Sequence, residues 1–292
     1  MTMTNEELLN VFKTNANKRP FQLADGTIEM YLKNINYFLE SIGNKNILEI
    51  TRKDVKQYML ALQTSDSTYN QRLASIRTLY KVLAYILDDE NIIDVTFGLV
   101  AISKVEHEHK IELTDLEKKL MLKYCKNSRD YAIVLTLLST GVRISELIGL
   151  TLEDYHGRND EGKITLTVTK GSKVRDIWLN ENVCKAIDKY LTTRKICDYN
   201  NLFISNGGTP MLQSSCARTL KVVARRAGLD EDRANKVCNH AMRRTFASYL
   251  EKMGVDVQTT ANILGHTNIQ TTFESYLSKN DNKMKEAFYL TI

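Results

Sequence analysis

The sequence has few of the features that mark secreted, metal-binding or membrane proteins. Its five cysteines are odd in number and form no C-x-x-C pair, so neither a disulfide framework nor a zinc site is indicated. No eighteen apolar residues run together, and the opening MTMTNEELLN lacks the basic and apolar parts of a secretion signal. We therefore expect a soluble, cytoplasmic protein.

The chain also lacks a strong charge of one sign. Its formal net charge is only +5. A nucleic-acid surface depends on basic residues clustered on one face, which a total cannot reveal. The net charge therefore neither predicts nor excludes DNA binding. A chain of 292 residues with 43% hydrophobic content is long enough for two folded domains.

Proline is almost absent from the first hundred residues, where apolar positions such as Ile28 and Leu32 recur at helical spacing. Thr51 and Ser67 precede stretches of this kind and are suited to cap helices. The pattern predicts a domain of four or five helices over residues 1–105.

Residues 106–292 combine helix signals with one β signal. Thr114 is suited to cap a helix, and Gly141 to end the apolar helix that follows. The segment KITLTVTKGSKVRDIWL contains alternating apolar residues before a Gly-Ser turn, which predicts a β-hairpin with Lys170 at its tip. We therefore predict a mainly α protein whose second domain carries a small antiparallel β-sheet and ends in a helical tail.

Two arginine motifs in this second part suit phosphate chemistry. Arg143 lies in TGVRISELIGL and Arg243 in HAMRRTF, and a guanidinium donates two parallel hydrogen bonds to phosphate while staying charged. Taken alone, Arg143 also suits a surface ion pair with Glu146, three residues on. Helical spacing places His240 and Arg243 together beside an apolar stripe that we expect to include Tyr249.

A lysine and a second histidine extend this candidate site. Cleavage of a DNA strand at a phosphate releases a 5′ alkoxide, which is a poor leaving group unless an acid protonates it. Lys170 can supply that proton, and Lys173 across the turn is the rival for this role. His266 follows Gly265, which can end a helix in a left-handed conformation and turn the imidazole inward. A histidine that merely caps the helix is the alternative.

The candidate nucleophile is Tyr276 in TTFESYL, because a phosphotyrosine ester is stable yet open to a second attack. Tyr249 and Tyr289 are weaker candidates, since Tyr249 falls on the apolar stripe that we expect to be buried. In chain order the set is Arg, Lys, His, Arg, His and Tyr, and together these motifs resemble the tyrosine recombinase (phage integrase) family. The resemblance is strong over residues 108–292 and covers the N-terminal part only in general character.

The resemblance implies a two-domain, Xer-like site-specific recombinase that cuts and rejoins DNA through a 3′-phosphotyrosyl intermediate without a metal or cofactor. It implies Tyr276 as nucleophile and Lys170 as general acid. It also implies action as a tetramer on double-stranded DNA with inverted-repeat sites, in integration or excision of a mobile element or in dimer resolution. The implied catalytic set is Arg143, Lys170, His240, Arg243, His266 and Tyr276.

For the N-terminal helices, the resemblance implies a SAM-like core-binding domain that contacts DNA. Basic side chains at this surface would position the protein on phosphates without selecting a sequence. The tail at 277–292 packs either on its own domain or on a neighbouring subunit. The candidate DNA-binding residues are Lys53, Lys56, Arg72, Arg77, Lys81 and Lys173.

Two other functions are compatible with these residues. A type IB topoisomerase would share the chemistry without pairing two sites. A DNA-binding architectural protein with a vestigial site would not depend on Tyr276 at all.

Overall fold

The computed structural model describes residues 3–102, 111–157, 160–166 and 174–265. The chain divides into two compact units, Met1–Glu108 and His109–Ile292. None of the described helices is both long and apolar enough to cross a membrane.

The first unit is helical. Its longest helix, Asp66–Leu87, contacts the helices Asn5–Asn15 and Asp25–Ser41 and buries Ile76 and Leu83 completely. A short 3-10 helix, Ile47–Glu49, precedes the third helix. The α-helices are α1 (Asn5–Asn15), α2 (Asp25–Ser41), α3 (Arg52–Ala61) and α4 (Asp66–Leu87).

Local side-chain chemistry fixes where these helices begin. Thr51 caps α3 as predicted, by accepting a hydrogen bond from the backbone N–H of Asp54. The prediction of Ser67 as a cap is wrong. Ser65 caps α4 instead, through the backbone N–H of Thr68, so that Ser67 already lies in the first helical turn.

The second unit is mostly helical with one small sheet. The strands of this sheet lie side by side in chain order, and both pairings are antiparallel. The prediction of a mainly α protein with a small antiparallel sheet is confirmed. The helices are α5 (Asp115–Lys123), α6 (Ser128–Thr140), α7 (Ile144–Gly149), α8 (Glu181–Leu191), α9 (Gln213–Arg226), α10 (Glu231–Lys236), α11 (Asn239–Lys252) and α12 (Val257–Leu264). The strands are β1 (Tyr155–His156), β2 (Lys163–Leu166) and β3 (Arg175–Trp178).

Helix α6 is the centre of this unit. Ile133, Val134 and Leu137 are fully buried, and the helix packs against α8 and α11. It ends at Gly141 in a left-handed conformation, φ 62°, as predicted. A Cβ atom at Gly141 would lie 2.7 Å from a ring carbon of Phe246, so the close approach of α6 and α11 also requires glycine here.

The β-hairpin is present as the pairing of β2 with β3, which begins at Leu166 opposite Arg175. Ile164, Leu166 and Ile177 point into the core, as strand alternation requires. The predicted tip with Lys170 lies outside the described residues.

An ion pair between Glu117 and Arg233 connects α5 to α10 near the start of the second unit. Glu117 completes a capping box with Thr114, the cap that the sequence predicts for α5. Arg233 of α10 donates to both carboxylate oxygens of Glu117, and its Nη2 also donates to the carbonyl of Glu112 at 2.7 Å. The bond from Arg233 is the main reason that the pKa of Glu117 falls to about 2.

Replacing Glu117 with Gln should make stability less sensitive to acid. Because folding lowers the pKa of Glu117, its contribution is complete above the unfolded value near 4.5 and is lost as pH falls toward about 2. Urea unfolding of wild type and Glu117→Gln should therefore show the two free energies converging across this interval. Parallel curves would contradict the assignment of this carboxylate as an ionised partner of Arg233.

Candidate active site

Arg143 stands where α6 gives way to α7. It is the residue before the first turn of α7, and its backbone N–H donates to Glu146 Oε2 at 2.7 Å. Its Nη1 donates to Glu146 Oε1 at 2.9 Å. The Arg143 side chain is 39% exposed, whereas that of Glu146 is only 9% exposed. The ion pair suggested as an alternative exists, but it joins a half-exposed guanidinium to an almost buried carboxylate.

Arg243 reaches the same place from α11. It is buried, and it donates through Nη1 to the carbonyl of Gly141 at 2.6 Å and through Nη2 to the carbonyl of Leu264. Burial lowers the pKa of Arg243 to about 10, with the charge of Arg143 adding to the effect and that of Glu146 opposing it. The guanidinium therefore stays protonated at neutral pH.

The end of α12 brings the two arginines together. Gly265 ends the helix with φ 66°, which confirms the predicted left-handed conformation. The carbonyl of Gly265 accepts from Arg143 Nη2 at 2.9 Å, next to the Leu264 carbonyl that Arg243 uses. Carbonyls at a helix C-terminus carry partial negative charge, so they offset the repulsion between two neighbouring guanidinium groups.

A third arginine, Arg175, lies beside Arg143 and Arg243, and we call these three residues with Glu146 the arginine cluster. The sequence prediction did not include Arg175. Arg175 at the start of β3 donates from Nη2 to both carboxylate oxygens of Glu146, at 3.1 and 3.0 Å, and to the Leu264 carbonyl at 3.2 Å. Strand alternation places it on the same inward face as Ile177. A charged residue in register with the buried side of a strand is the sequence signal that could have found it.

The histidine of α11 lies at the edge of the cluster. His240 is exposed in the first turn of α11, three residues before Arg243. The neighbouring Asn239 donates to the carbonyl of Val142 at 3.0 Å, which fixes the start of α11 against the α6–α7 connection. The first turn of α11, which carries His240, is therefore held against the α6–α7 connection.

The predicted apolar stripe of α11 is partly wrong. Tyr249 is 49% exposed, and the ammonium of Lys118 lies 5.8 Å from the centre of its ring. The buried stripe instead includes Met242, Arg243 and Phe246, so the arginine lies within it rather than beside it. Arg243 can lie on the buried face because the carbonyls of Gly141 and Leu264 accept its hydrogen bonds. Burial is therefore no reason to rank Tyr249 below Tyr276.

Several predicted residues have no described position. Arg143, His240 and Arg243 are described, and the structure brings the two arginines together. The others, with the tail at 277–292, lie outside the described residues: Lys170, Lys173, His266, Tyr276 and Tyr289.

The candidate DNA contacts of the first unit fall into two groups. Lys53, Lys56 and Lys81 are exposed. Arg72 instead donates to the Tyr58 hydroxyl at 2.7 Å. Arg77 donates to Thr96 Oγ1 and to the carbonyl of Leu99, both at 3.0 Å, and so holds the segment after α4.

The chain matches the phage integrase family over residues 106–283, and the phage integrase N-terminal SAM-like domain over residues 8–89. A protein named tyrosine recombinase XerC from Caldanaerobacter subterraneus is 34% identical over 191 residues, covering 63% of this chain and 52% of that protein. A protein of the same name from Staphylococcus epidermidis is 27% identical, covering 93% of this chain and 91% of that protein.

Among solved structures, the Tn1549 transposon integrase in complex with transposon right end DNA shares the fold. Its TM-score is 0.73 at 23% identity, over 97% of this chain and 99% of that one. The fold and the arginine cluster thus fit the class of enzymes that cut and rejoin DNA strands through a tyrosine. The chain belongs to the phage integrase family. The resemblance drawn from the motifs is confirmed.

Replacing Glu146 with Gln should destabilise the second unit. The neutral amide leaves Arg143 and Arg175 without their shared negative charge, and breaking a nearly buried ion pair costs about 3 kcal/mol. The change in unfolding free energy can be measured in urea. Glu181→Gln, which breaks an exposed pair with Lys185 on α8, is the matched control and should have little effect. A Glu146→Gln loss no larger than that of the control would show that the cluster does not depend on this carboxylate.

Proposed function

We propose that this protein is a site-specific recombinase in which Arg143 and Arg243 bind the scissile phosphate and Tyr276 attacks it. The observation that carries the proposal is the convergence of these two guanidinium groups on adjacent carbonyls at the end of α12. Guanidinium groups so placed can stabilise the negative charge that develops on the non-bridging oxygens as the phosphorus becomes five-coordinate.

The strand is cut by in-line displacement. The Tyr276 hydroxyl loses its proton to solvent as its oxygen forms a bond to phosphorus, the bond from phosphorus to the 5′ oxygen breaks, and Lys170 gives that oxygen a proton. The 3′ end remains joined to the protein as a phosphotyrosine. Attack by a 5′ hydroxyl of the partner strand reverses these steps and releases the tyrosine, so no external energy source is needed. Lys173 is a DNA contact beside Lys170.

His240 and His266 complete the proposed site. His240 is exposed next to the arginine cluster, where its imidazole can hydrogen-bond a phosphate oxygen. His266 directly follows Gly265, whose carbonyl accepts from Arg143. The residue before His266 is therefore itself part of the cluster.

The first unit supplies contacts to the DNA backbone. Lys53 and Lys56 share the N-terminal half of α3 and are exposed, as is Lys81 on α4. Such contacts position the protein without selecting sequence. Arg72 and Arg77 already bond within the unit, so their DNA contacts would use N–H groups beyond those bonds.

Assembly follows from the stoichiometry of the reaction. Joining two duplexes requires four strand cuts, and each chain contributes one Tyr276. We therefore propose a tetramer on two inverted-repeat sites, with the 277–292 tail docked on a neighbouring subunit. The setting is the cytoplasm, where chromosomal and mobile DNA are both accessible.

Tyr276→Phe should abolish covalent attachment to DNA while leaving binding intact, because only the nucleophilic oxygen is removed. The protein is denatured after incubation with fragments of bacterial chromosomal DNA, covalent adducts are isolated, and their ends are sequenced. Wild type should give adducts clustered at one or a few inverted-repeat sites. Tyr249→Phe, which removes an exposed phenol from the same unit, is the control and should behave as wild type. Adducts that persist in Tyr276→Phe would identify another nucleophile.

Lys53→Gln and Lys56→Gln should weaken DNA binding and reduce its salt dependence. Each lost phosphate contact lowers the slope of log K against log salt by about one. The slope can be measured by fluorescence anisotropy on a labelled duplex. Lys13→Gln removes an exposed lysine from α1, outside the proposed surface, and is the control. Unchanged slopes in the α3 variants would remove this helix from the DNA interface.

A further inference from the structure

We propose that Arg175 is a positioning residue for strand cleavage: it acts through Glu146 and the end of α12 to hold Arg143 in place. This inference rests on the proposed function, because the step that it tunes is the attack on the phosphate bound by Arg143. In this role Arg175 does not itself contact the phosphate.

The first observation is that Arg175 and Arg143 share one carboxylate. Nη2 of Arg175 lies 3.1 and 3.0 Å from the two oxygens of Glu146, and Nη1 of Arg143 lies 2.9 Å from Oε1. With contacts on both sides, the carboxylate cannot rotate without breaking a charged hydrogen bond. By fixing the orientation of the Glu146 carboxylate, Arg175 also fixes the position of the Arg143 guanidinium that this carboxylate binds.

The second observation is that Arg175 and Arg243 share one carbonyl. The Leu264 oxygen accepts from Arg175 Nη2 at 3.2 Å and from Arg243 Nη2. The next carbonyl, that of Gly265, accepts from Arg143. Arg175 therefore links β3 to the same helix end that both proposed phosphate-binding arginines use.

The third observation is the absence of a side chain at Gly265. A Cβ atom there would lie 2.1 Å from Arg175 Nη1 and 2.5 Å from its Cζ. The guanidinium thus packs directly against the Gly265 backbone, in space that any other residue would fill. The glycine serves both the left-handed turn and this contact.

The fourth observation concerns stability. Nε of Arg175 is buried and has no hydrogen-bond partner among the described residues, which is unfavourable. Arg175 also occupies a strand position that alternates with the buried Ile177, where an apolar side chain would pack without that cost. A whole buried ion pair can often be replaced by apolar residues without loss of stability, although loss of one partner alone is destabilising. Folding alone therefore does not explain an arginine here.

The consequence for the reaction is geometric. Without Arg175, Arg143 is the one guanidinium partner of Glu146 that remains in the part of the chain that the structure describes, and the α12 end loses its bond to β3. A displacement of about 1 Å in a group that binds the reacting atoms can lower the rate about a hundredfold. We expect the loss in the cleavage rate and not in DNA affinity, which is spread over many contacts.

The test uses the full chain and a nicked duplex that carries the site recovered from the wild-type covalent adducts. Single-turnover cleavage at saturating protein, the Kd for the same duplex, and the Tm are measured for Arg175→Met and Arg175→Lys. Arg233→Met is the matched control, because Arg233 likewise bonds a glutamate carboxylate and a backbone carbonyl but lies on α10, outside the cluster.

Arg175→Met should cleave about a hundredfold more slowly with a Kd within about threefold of wild type and a Tm no lower than that of Arg233→Met. Arg175→Lys should recover part of the rate, because an ammonium can bond Glu146 or the Leu264 carbonyl. Arg233→Met should keep the wild-type rate. The proposal would be overturned if Arg175→Met cleaved the duplex at the wild-type rate. It would also be overturned if the variant bound DNA more weakly but cleaved at the wild-type rate once saturated.

A second measurement separates this proposal from the proposed function. Gly265→Ala is combined with Arg175→Ala, and Tm is measured for both single variants and the double variant. Alanine at 265 should lower Tm less when Arg175 is absent, because the collision with the guanidinium is gone. Equal losses in both backgrounds would overturn the positioning role even if wild type cleaves DNA. A wild type that forms no adducts would overturn the recombinase proposal, and the positioning role with it.

Discussion

Three guanidinium groups gathered around the carboxylate of Glu146 are the constraint on which the second unit depends. The positive charges of Arg143, Arg175 and Arg243 repel one another, and the repulsion is stronger in a partly buried site than in water. One carboxylate cannot neutralise three positive charges. The remaining compensation comes from backbone carbonyls at the ends of α6 and α12. Such a cluster is held together by the protein and still favours an additional anion, which is the electrostatic requirement for a phosphodiester substrate.

Backbone geometry at two glycines makes the cluster possible. Gly141 turns the chain out of α6 so that its carbonyl faces Arg243, and Gly265 does the same at the end of α12 for Arg143. Both residues have positive φ, and a Cβ atom at either would collide with a neighbouring side chain. The position of the arginines is therefore set by where two helices stop, which explains how residues a hundred positions apart in sequence reach one site.

Local chemistry made part of this predictable from the sequence. Thr51, Thr114 and Gly141 act within one turn of their own helix, so the prediction needed no knowledge of tertiary contacts. Tyr249 and Arg175 depend on which face of an element meets its neighbours, and a charge buried among carbonyl acceptors reverses the usual rule that apolar residues define that face. The arginine motifs indicated the chemistry, and strand alternation could have singled out Arg175, but its bonds to Glu146 and to the end of α12 emerge only from the tertiary structure.

The most direct test of this account is a crystal structure of the Tyr276→Phe variant bound to its duplex. The account predicts that the guanidinium groups of Arg143 and Arg243 both donate to the non-bridging oxygens of one phosphate, the one next to Phe at position 276. Glu146 and the α12 carbonyls should remain within hydrogen-bond distance of the cluster. Arginines bound to different phosphates, or an Arg243 that keeps only its backbone partners, would contradict the claim that this cluster is the phosphate-binding site.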